Sequence, residues 1–244
     1  MPRFYCPPPL PASGRFELPS GAAHHAIRVL RLREGAHIHL FDGEGRECLG
    51  IITETGGKRV IVDQLTELES ERESPLRTVL AQALCSSEKM DWIVQKATEL
   101  GVTEIQPLDT ERSVARLTPE RAIKRLEHWQ QVAISACERC GRNRLPLIHS
   151  PVEMMVWLRR MQSAPEVRLG LLPEGNTTLN HLSPPSAGVA LLVGPEGGFS
   201  AAECDTILQS GFTPVRLGPR ILRTETAAIA GLTAAQIRWG DFNL

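Results

Sequence analysis

The sequence lacks any apolar run of the roughly 20 residues that a membrane-spanning helix needs. Its N-terminus also lacks the apolar segment of a secretory signal peptide. From these two absences we predict a cytoplasmic protein. Its 42% hydrophobic and 23% charged residues are ordinary for a globular protein. The 244 residues suffice for one large or two modest domains.

Lysine is scarce, because nearly all of the 27 basic residues are arginine. Arginine suits bidentate phosphate contacts and stacking on bases, but a codon bias would give the same composition. The net charge of −1 does not decide the question, since a nearly neutral protein can carry one basic face. Composition alone therefore leaves a nucleic-acid partner open.

The cysteine pattern does not support a metal site. Only Cys137 and Cys140 of the six cysteines form a C-x-x-C pair, and no second pair or suitably spaced histidines accompany them. A redox pair normally opens a helix after a strand, whereas this pair lies late in a long helical pattern. We predict no metal and reduced thiols that mostly pack in the interior, and we assign Cys137 and Cys140 no role.

Short alternating strands and tight turns occupy the first 70 residues. Strands are predicted over 36–41, 50–52 and 59–62, with turns between them and a short helix over 24–30. This pattern is typical of a small barrel. The charged segment 67–77 contains a proline and lacks apolar periodicity, which indicates a linker. We predict one domain over 1–70 and a second over 75–244.

The second domain alternates strands with helices, which predicts a mainly parallel sheet. Strands are expected at 78–84, 104–108, 167–172, 189–194 and 214–217. Helices are expected at 88–100, from Pro119 onward, after a capping box at Ser200–Glu203, and at 224–238. Ligands of such sheets bind beyond the carboxyl ends of the strands.

Three loops follow the last three predicted strands, at 171–175, 194–199 and 218–223. The middle loop, GPEGGF, has three glycines, which allow close backbone approach to a ligand or simply a tight turn. Its place between a strand and a capped helix resembles a phosphate cradle. However, the loop lacks the Lys-Ser/Thr of a P-loop and the G-x-G-x-x-G of a dinucleotide site.

These loops carry a specific resemblance. LLVGPEGGFSAAE (191–203) and LGPRILRTETAAIAGL (217–232) resemble the bacterial 16S rRNA uridine-N3 methyltransferase family, which belongs to the SPOUT class. MDWIVQKATELGV (90–102), Glu111-Arg112-Ser113, and His24-His25 followed by Val29-Leu30-Arg31 also match the pattern. The matches span nearly the whole chain in order, so the set is specific although each alone is weak.

The resemblance implies an α/β fold in which a C-terminal SPOUT trefoil-knot domain with a parallel sheet follows a small N-terminal PUA-like β-barrel that binds RNA. It implies S-adenosylmethionine as cofactor and methylation of uridine N3 in 16S rRNA, at uridine 1498 in rRNA numbering. Either free 16S rRNA or the small ribosomal subunit could be the substrate. A homodimer is also implied. The small residues of the last helix suit a dimer contact or packing within the chain equally.

The resemblance also implies site residues. Cofactor contacts fall on Leu172, Gly194, Glu196, Gly197, Leu217, Gly218, Ile221, Leu222 and Thr226. Candidate RNA contacts are Arg28, Arg31, Arg33, Arg112, Arg142 and Arg220.

Three residues are candidates for the chemistry. Arg223 is a candidate for stabilising charge on the uracil carbonyls. Glu196 and Glu225 are candidates for accepting the proton or orienting Arg223. Both could instead be structural, Glu196 within its loop and Glu225 at a helix N-terminus. One departure is Arg139, which stands where the family often has glutamine, although Glu138 and Arg142 fit the pattern.

Three alternatives remain. A SPOUT ribose 2′-O-methyltransferase would share the cofactor loops but not the 90–102 helix motif or the N-terminal barrel. A non-enzymatic RNA-binding protein would not need the intact glycines of the 194–198 loop. A nucleotide-phosphate binder is disfavoured by the missing lysine.

Overall fold

The computed structural model describes residues 1–114, 116–162 and 166–242. The chain forms two compact units. The N-terminal unit comprises Met1–Glu73 together with Ile134–Leu145, and the C-terminal unit comprises Ser74–Ala133 together with Pro146–Leu244. The long helix predicted from Pro119 therefore contributes its final turns to the N-terminal unit. None of the helices among the described residues is long and apolar enough to span a membrane.

The N-terminal unit is built on a five-stranded sheet. Its strands are β1 (Arg3–Tyr5), β2 (Phe16–Glu17), β3 (His37–Phe41), β4 (Glu47–Gly56) and β5 (Arg59–Leu68), in the order β1-β3-β4-β5-β2. The helix α1 (Ser20–His24) continues into a π-helical turn (His25–Val29). The predicted helix over 24–30 thus begins four residues too late. The predicted strands at 50–52 and 59–62 are parts of β4 and β5, which have ten residues each and form one hairpin. The predicted turn between them is confirmed, with Gly57 at φ +61°.

Alternating side chains from the sheet form the core of the N-terminal unit. Phe4, Ile38, Leu40, Ile52 and Val62 are all fully buried. Burying large apolar side chains of this kind contributes about 2 kcal/mol each. Burial alternates over 37–40 of β3 and 48–52 of β4, whereas the three consecutive residues 60–62 of β5 are all buried.

One carboxylate is fully buried within this unit. Glu47 of β4 forms ion pairs with Arg3 and with Arg72, whose Nη1 lies 3.0 Å away, and it accepts a hydrogen bond from Asn143 at 3.2 Å. Burial raises the pKa of Glu47, but the Asn143 hydrogen bond and the two arginines outweigh it and lower the pKa to about 2. The ionised Glu47 carboxylate therefore links β4 to β1, to the segment after β5 and to the residues that follow the long helix.

The C-terminal unit is a parallel sheet with helices. Its strands are β6 (Thr78–Ala83), β7 (Glu104–Asp109), β8 (Leu147–Ile148), β9 (Val152–Glu153), β10 (Val167–Leu171), β11 (Val189–Val193) and β12 (Thr213–Val215). The order is β12-β10-β11-β6-β7-β8, with β9 also pairing β7. The predicted parallel sheet is confirmed. Strand β12 lies beside β10, so the chain crosses over after β11 and brings the ends of the last three strands together.

Among the described residues, five α-helices belong wholly or partly to the C-terminal unit. They are α2 (Ser87–Glu99), α3 (Pro119–Cys140), α4 (Met154–Met161), α5 (Ala201–Gln209) and α6 (Thr224–Trp239). The capping box predicted at Ser200 and Glu203 is confirmed. Helix α4 was not predicted, although its buried residues have helical spacing: Met154, Trp157, Leu158 and Met161.

The small residues of α6 serve packing within the chain at several positions. Ala228, Gly231, Leu232 and Ala235 are buried. A Cβ at Gly231 would lie 2.7 Å from Leu171 Cδ1, so glycine lets α6 approach β10 closely without displacing that side chain. The face of α6 that Ala228, Gly231, Leu232 and Ala235 form therefore packs within the C-terminal unit.

Candidate active site

The loops after β10, β11 and β12 enclose one cavity of about 540 Å³. The prediction that these loops meet at the carboxyl ends of their strands is confirmed. Its walls include 171–174 from the first loop, 194–199 from the second, and 221–224 leading into α6. The size lies within the range of pockets that hold small molecules. A smaller hollow beside it is lined by residues of the first and third loops, including Leu217 and Arg220.

The glycines of the middle loop are favoured by close contacts and by backbone conformation. A Cβ at Gly194 would lie 3.1 Å from the Phe199 ring, and Gly198 has φ +66°. Arg112, from the segment after β7, reaches this loop and donates from Nη1 to the Gly197 carbonyl at 3.0 Å. The loop is therefore held by its own aromatic residue and by an arginine from another strand end.

A buried threonine joins α6 to the middle loop. The Thr224 hydroxyl donates to the Gly194 carbonyl at 2.6 Å and accepts from Gln82 Nε2 at 2.8 Å. Gln82 is fully buried in β6. This chain of hydrogen bonds connects β6, the loop after β11 and the first residue of α6, so it fixes two walls of the cavity relative to the sheet.

Lys89 of α2 lies on the cavity wall and pairs with both candidate acids. Its Nζ lies 3.2 Å from Glu196 Oε1 and 3.6 Å from Glu225 Oε2. Glu196 also accepts from the Ser86 amide at 3.2 Å. Burial raises the pKa of Glu196, but hydrogen bonds from its own backbone, from Ser86 and from Lys89 outweigh this and lower the pKa below its ordinary value. The acid is therefore ionised at neutral pH and is committed to these partners.

Arg223 lies at the mouth of the cavity as the residue before α6, and its side chain is exposed. Among the residues that the structure describes, no carboxylate lies within ion-pair distance of its guanidinium. Its donors are thus available to a ligand, in contrast to those of Lys89.

The structure brings most of the predicted cofactor residues together. Six line the cavity: Leu172, Gly194, Glu196, Gly197, Ile221 and Leu222. Leu217 lines the adjoining hollow. Gly218 and Thr226 are exposed and line neither space. Lys89, Gln82 and Thr224 complete the site but were not predicted, because their roles depend on contacts between distant segments.

The six predicted RNA-contact arginines have different surroundings. Arg28, Arg31 and Arg33 are exposed in the N-terminal unit, and Arg220 is exposed in the C-terminal unit. Arg112 braces the middle loop. Arg142 is buried against Glu73, with an Nη2 to Oε2 distance of 2.7 Å, so little of its guanidinium faces solvent.

The cysteines do not form a metal centre or a disulfide. The structure records no disulfide among the described residues, and Cys6, Cys48, Cys85 and Cys137 are buried. Within 1–114, 116–162 and 166–242, no cluster of three or more His, Cys, Asp or Glu side chains could hold a metal ion.

The residues of the cavity fit an adenosyl group with a charged sulfur better than a phosphate. Leu171, Leu172, Val193 and Leu222 give apolar walls suited to a planar ring, and the glycine loop offers backbone close by. Two carboxylates, Glu196 and Glu225, lie in or beside the cavity with a single lysine between them. The charge around Lys89 is therefore locally negative, whereas Arg112, Arg223 and Glu174 line other parts of the cavity, so the cavity suits a ligand that carries charges of both signs better than a phosphate.

Known proteins resemble the chain throughout its length. Residues 72–236 match the RNA methyltransferase domain, and residues 18–65 match the RNA methyltransferase PUA domain. The ribosomal RNA small subunit methyltransferase E of Buchnera aphidicola is 35% identical, over 100% of this chain and 98% of that protein.

Two solved structures are closely similar. The ribosomal RNA small subunit methyltransferase E of Neisseria gonorrhoeae, bound to S-adenosylmethionine, is 39% identical with a TM-score of 0.93 over 99% of both chains. A putative methyltransferase of Legionella pneumophila, in complex with the same cofactor, has the same identity and TM-score over 98% of both chains.

The fold, the cavity and these matches define a methyltransferase that acts on RNA. The predicted fold class, a SPOUT trefoil-knot domain with a PUA-like barrel, is confirmed. Within that class, the chain belongs to the ribosomal RNA small subunit methyltransferase E family.

Proposed function

We propose that this enzyme binds S-adenosylmethionine in the strand-end cavity and methylates N3 of a uridine in 16S rRNA, at position 1498. The observation that carries the proposal is the convergence of three strand-end loops on one cavity with an unpaired arginine at its mouth. The cofactor bound in the two similar structures supports the choice of methyl donor. A ribosomal substrate makes a cytoplasmic location part of the proposal.

When bound, S-adenosylmethionine supplies an electrophilic methyl group on its sulfonium. The chain's task is to hold the nucleophile in line with that methyl group and to exclude other orientations. The apolar side chains Leu171, Leu172 and Leu222 provide walls for the adenine ring, and the loop braced by Arg112 fixes the rest of the pocket.

Arg223 acts on the uracil. N3 carries a proton at neutral pH and lies on the pairing edge, so the base must be unpaired or flipped out before reaction. As the proton leaves, negative charge develops on the two carbonyl oxygens beside N3. An arginine without a carboxylate partner at the cavity mouth can donate to an oxygen at this stage and stabilise the charge.

Glu196 and Glu225 contribute mainly through Lys89. A pKa below the ordinary range makes Glu196 a weak proton acceptor, since general bases work best with a pKa near the operating pH. We therefore assign Glu196 to fixing its loop. Glu225 is the stronger candidate for proton acceptance, because its Oε2 is buried and, among the described residues, has no hydrogen bond and only the 3.6 Å pairing with Lys89.

The RNA is held by the N-terminal unit and by the cavity surroundings. We assign Arg28, Arg31 and Arg33 to the phosphate backbone, since all three are exposed in the unit that contains the PUA-domain match. We retain the homodimer as part of the proposal. Light scattering of the purified protein tests it, and a monomer at micromolar concentration would refute it.

The test of the reaction is nucleoside mass spectrometry of 16S rRNA. RNA from cells that lack the protein should contain no N3-methyluridine, and the pure protein with S-adenosylmethionine should restore it. When fragments of the 16S rRNA are analysed, the restored N3-methyluridine should be found at a single nucleotide position. A methylated ribose without N3-methyluridine would replace the proposed reaction with 2′-O methylation.

A further inference from the structure

A second open concavity lies in the C-terminal unit, with a volume of about 580 Å³. We call it the basic groove. It is lined by the cations Arg116, Arg121, Lys124 and Arg125, together with His128 and the apolar Val114. The groove combines the segment before α3 with the first half of that helix. It does not include any residue of the loops that form the strand-end cavity.

The helical cations lie on one face because of their spacing. Positions 121, 124, 125 and 128 follow the i, i+3, i+4, i+7 pattern that brings residues together on a helix. At 1.5 Å per residue, the row extends about 10 Å along α3. Glu120 and Glu127 lie about 100° and 120° around the helix from Arg121, on the side of Lys124.

The four long cations lack acidic partners. In the described part of the chain, no carboxylate lies within 4 Å of Arg116, Arg121, Lys124 or Arg125; the only ion pair of the groove joins His128 Nε2 to Asp91 at 2.8 Å. Since the whole protein has a net charge of −1, this concentration is local and does not reflect general basicity. Unpaired like charges this close repel one another, and an anionic ligand would relieve the repulsion.

The groove begins beside the strand-end cavity. Arg112, which lines that cavity and donates to Gly197, is two residues from Val114, and two residues span at most about 7 Å. A polymer whose target base enters the cavity would therefore pass the groove with neighbouring parts of its backbone. The exposed Val114, 67% accessible, adds an apolar surface at the junction.

We infer that the basic groove binds the phosphate backbone of the RNA substrate on the strand that flanks the target base. The inference rests on the proposed function, because it takes RNA as the substrate. A row of about 10 Å matches about three nucleotides of a stacked strand at 3.4 Å each. Arginine forks pair well with phosphate oxygens, which makes an RNA backbone the occupant that the groove chemistry favours.

The test compares two double variants that each remove two exposed or half-exposed arginines. R121A/R125A alters the groove, and R159A/R160A alters the end of α4 as a matched control. Each phosphate contact to a single strand contributes a slope of about −0.7 to log K against log salt, or about fourfold in affinity at 0.15 M salt. R121A/R125A should therefore raise KM for 16S rRNA transcripts about 15-fold and reduce the salt slope by about 1.4. Its kcat should stay within about twofold.

Several measurements separate binding from folding. S-adenosylmethionine affinity and the melting temperature should match the wild type in both variants, and R121K/R125K should restore most of the RNA affinity because it keeps the charge. An unchanged KM and salt slope for R121A/R125A would overturn the inference. So would a loss confined to assembled small subunits, because the groove would then contact a ribosomal protein. If the product is not N3-methyluridine, the proposed function fails, but the salt slope still tests the groove.

Discussion

Replacing Thr224 by valine should separate the hydrogen bonds of this residue from its packing. Valine has nearly the same shape but lacks the hydroxyl that bonds Gly194 and Gln82. Gln82 is fully buried, so its second N–H would be left without a partner, which costs about 1–3 kcal/mol. The Gly194 carbonyl is half-buried at the cavity wall, where water can replace the hydroxyl, so its loss costs less.

The total destabilisation should be about 2–3 kcal/mol. Thr224→Ser is the control: it keeps the hydroxyl and removes one methyl group, which costs about 1 kcal/mol. For a protein of this size, each kcal/mol lowers the melting temperature by about 2–4 °C. The valine variant should therefore melt roughly 5–10 °C below the wild type, and the serine variant about 2–4 °C below.

Cofactor affinity provides the second measurement. Without the hydroxyl, the Gly194 carbonyl and the loop that follows it can leave the positions seen here. Titration calorimetry should show a five- to tenfold weaker Kd for S-adenosylmethionine in the valine variant and a change of less than threefold in the serine variant. Equal melting temperatures and affinities for the two variants would refute the reasoning, because the hydroxyl would then contribute nothing beyond packing.

Three further predictions follow from the site and from the N-terminal unit. Arg223→Ala should reduce methylation at least 100-fold in single-turnover assays while calorimetry finds the S-adenosylmethionine Kd within about twofold; retained activity would remove Arg223 from the mechanism. Lys89→Met should weaken cofactor binding about five- to thirtyfold, because Glu196 loses the ion pair that helps to fix the cavity loop, whereas Lys89→Arg should lose much less. Glu47 has a pKa lowered to about 2, so its stabilisation, roughly 3 kcal/mol, is complete above the ordinary value near 4.5 and is lost as pH falls toward 2. Urea unfolding between pH 7 and pH 3 should show this slope in the wild type and a shallower one in Glu47→Gln; identical slopes would contradict it.

Local periodicity predicted most of the fold because burial follows it directly. The alternation at 37–41 and the buried positions Met90, Ile93, Val94 and Ala97 of α2 are the same residues that the structure buries. Boundaries were less accurate where tertiary context decides. Strand β4 extends over ten residues because β3 and β5 pair with it on both sides, although only three of its residues were predicted as strand.

The short elements were missed for a different reason. Strands β1, β2, β8 and β9 have two or three residues each, so they carry no period of their own and exist only because a longer strand offers hydrogen-bonding partners. The ending of α3 is comparable. Its pattern predicts one continuous helix, and nothing local indicates that Glu138, which accepts from the Tyr5 amide at 3.2 Å, packs with the first strand.

The candidate site was predictable to the extent that it depends on strand ends. Parallel strands leave their carboxyl ends on one edge, so the three loops were expected to meet, and they do. Lys89 lies on a helix and could not be found in this way, and Arg112, which was predicted as an RNA contact, could not be predicted to brace the middle loop. Lys89 is 107 residues from Glu196 and Arg112 is 85 residues from Gly197, and no local pattern encodes such a contact.

The distribution of charge at the carboxyl edge of the parallel sheet is consistent with two proposed ligands there, the cationic sulfonium of the cofactor and the anionic RNA. Glu196 and Glu225 share Lys89, so the charge around this lysine is locally negative, which favours the proposed sulfonium ligand. Arg223 and the arginines of the basic groove lack carboxylate partners among the described residues, and they lie where RNA would approach. Arg112 donates to the Gly197 and Phe199 carbonyls, which hold its guanidinium at the cavity wall close to the start of the basic groove. Neutralising Lys89 should therefore weaken cofactor binding and leave RNA affinity nearly unchanged. Neutralising Arg121 and Arg125 should weaken RNA binding and leave cofactor affinity nearly unchanged.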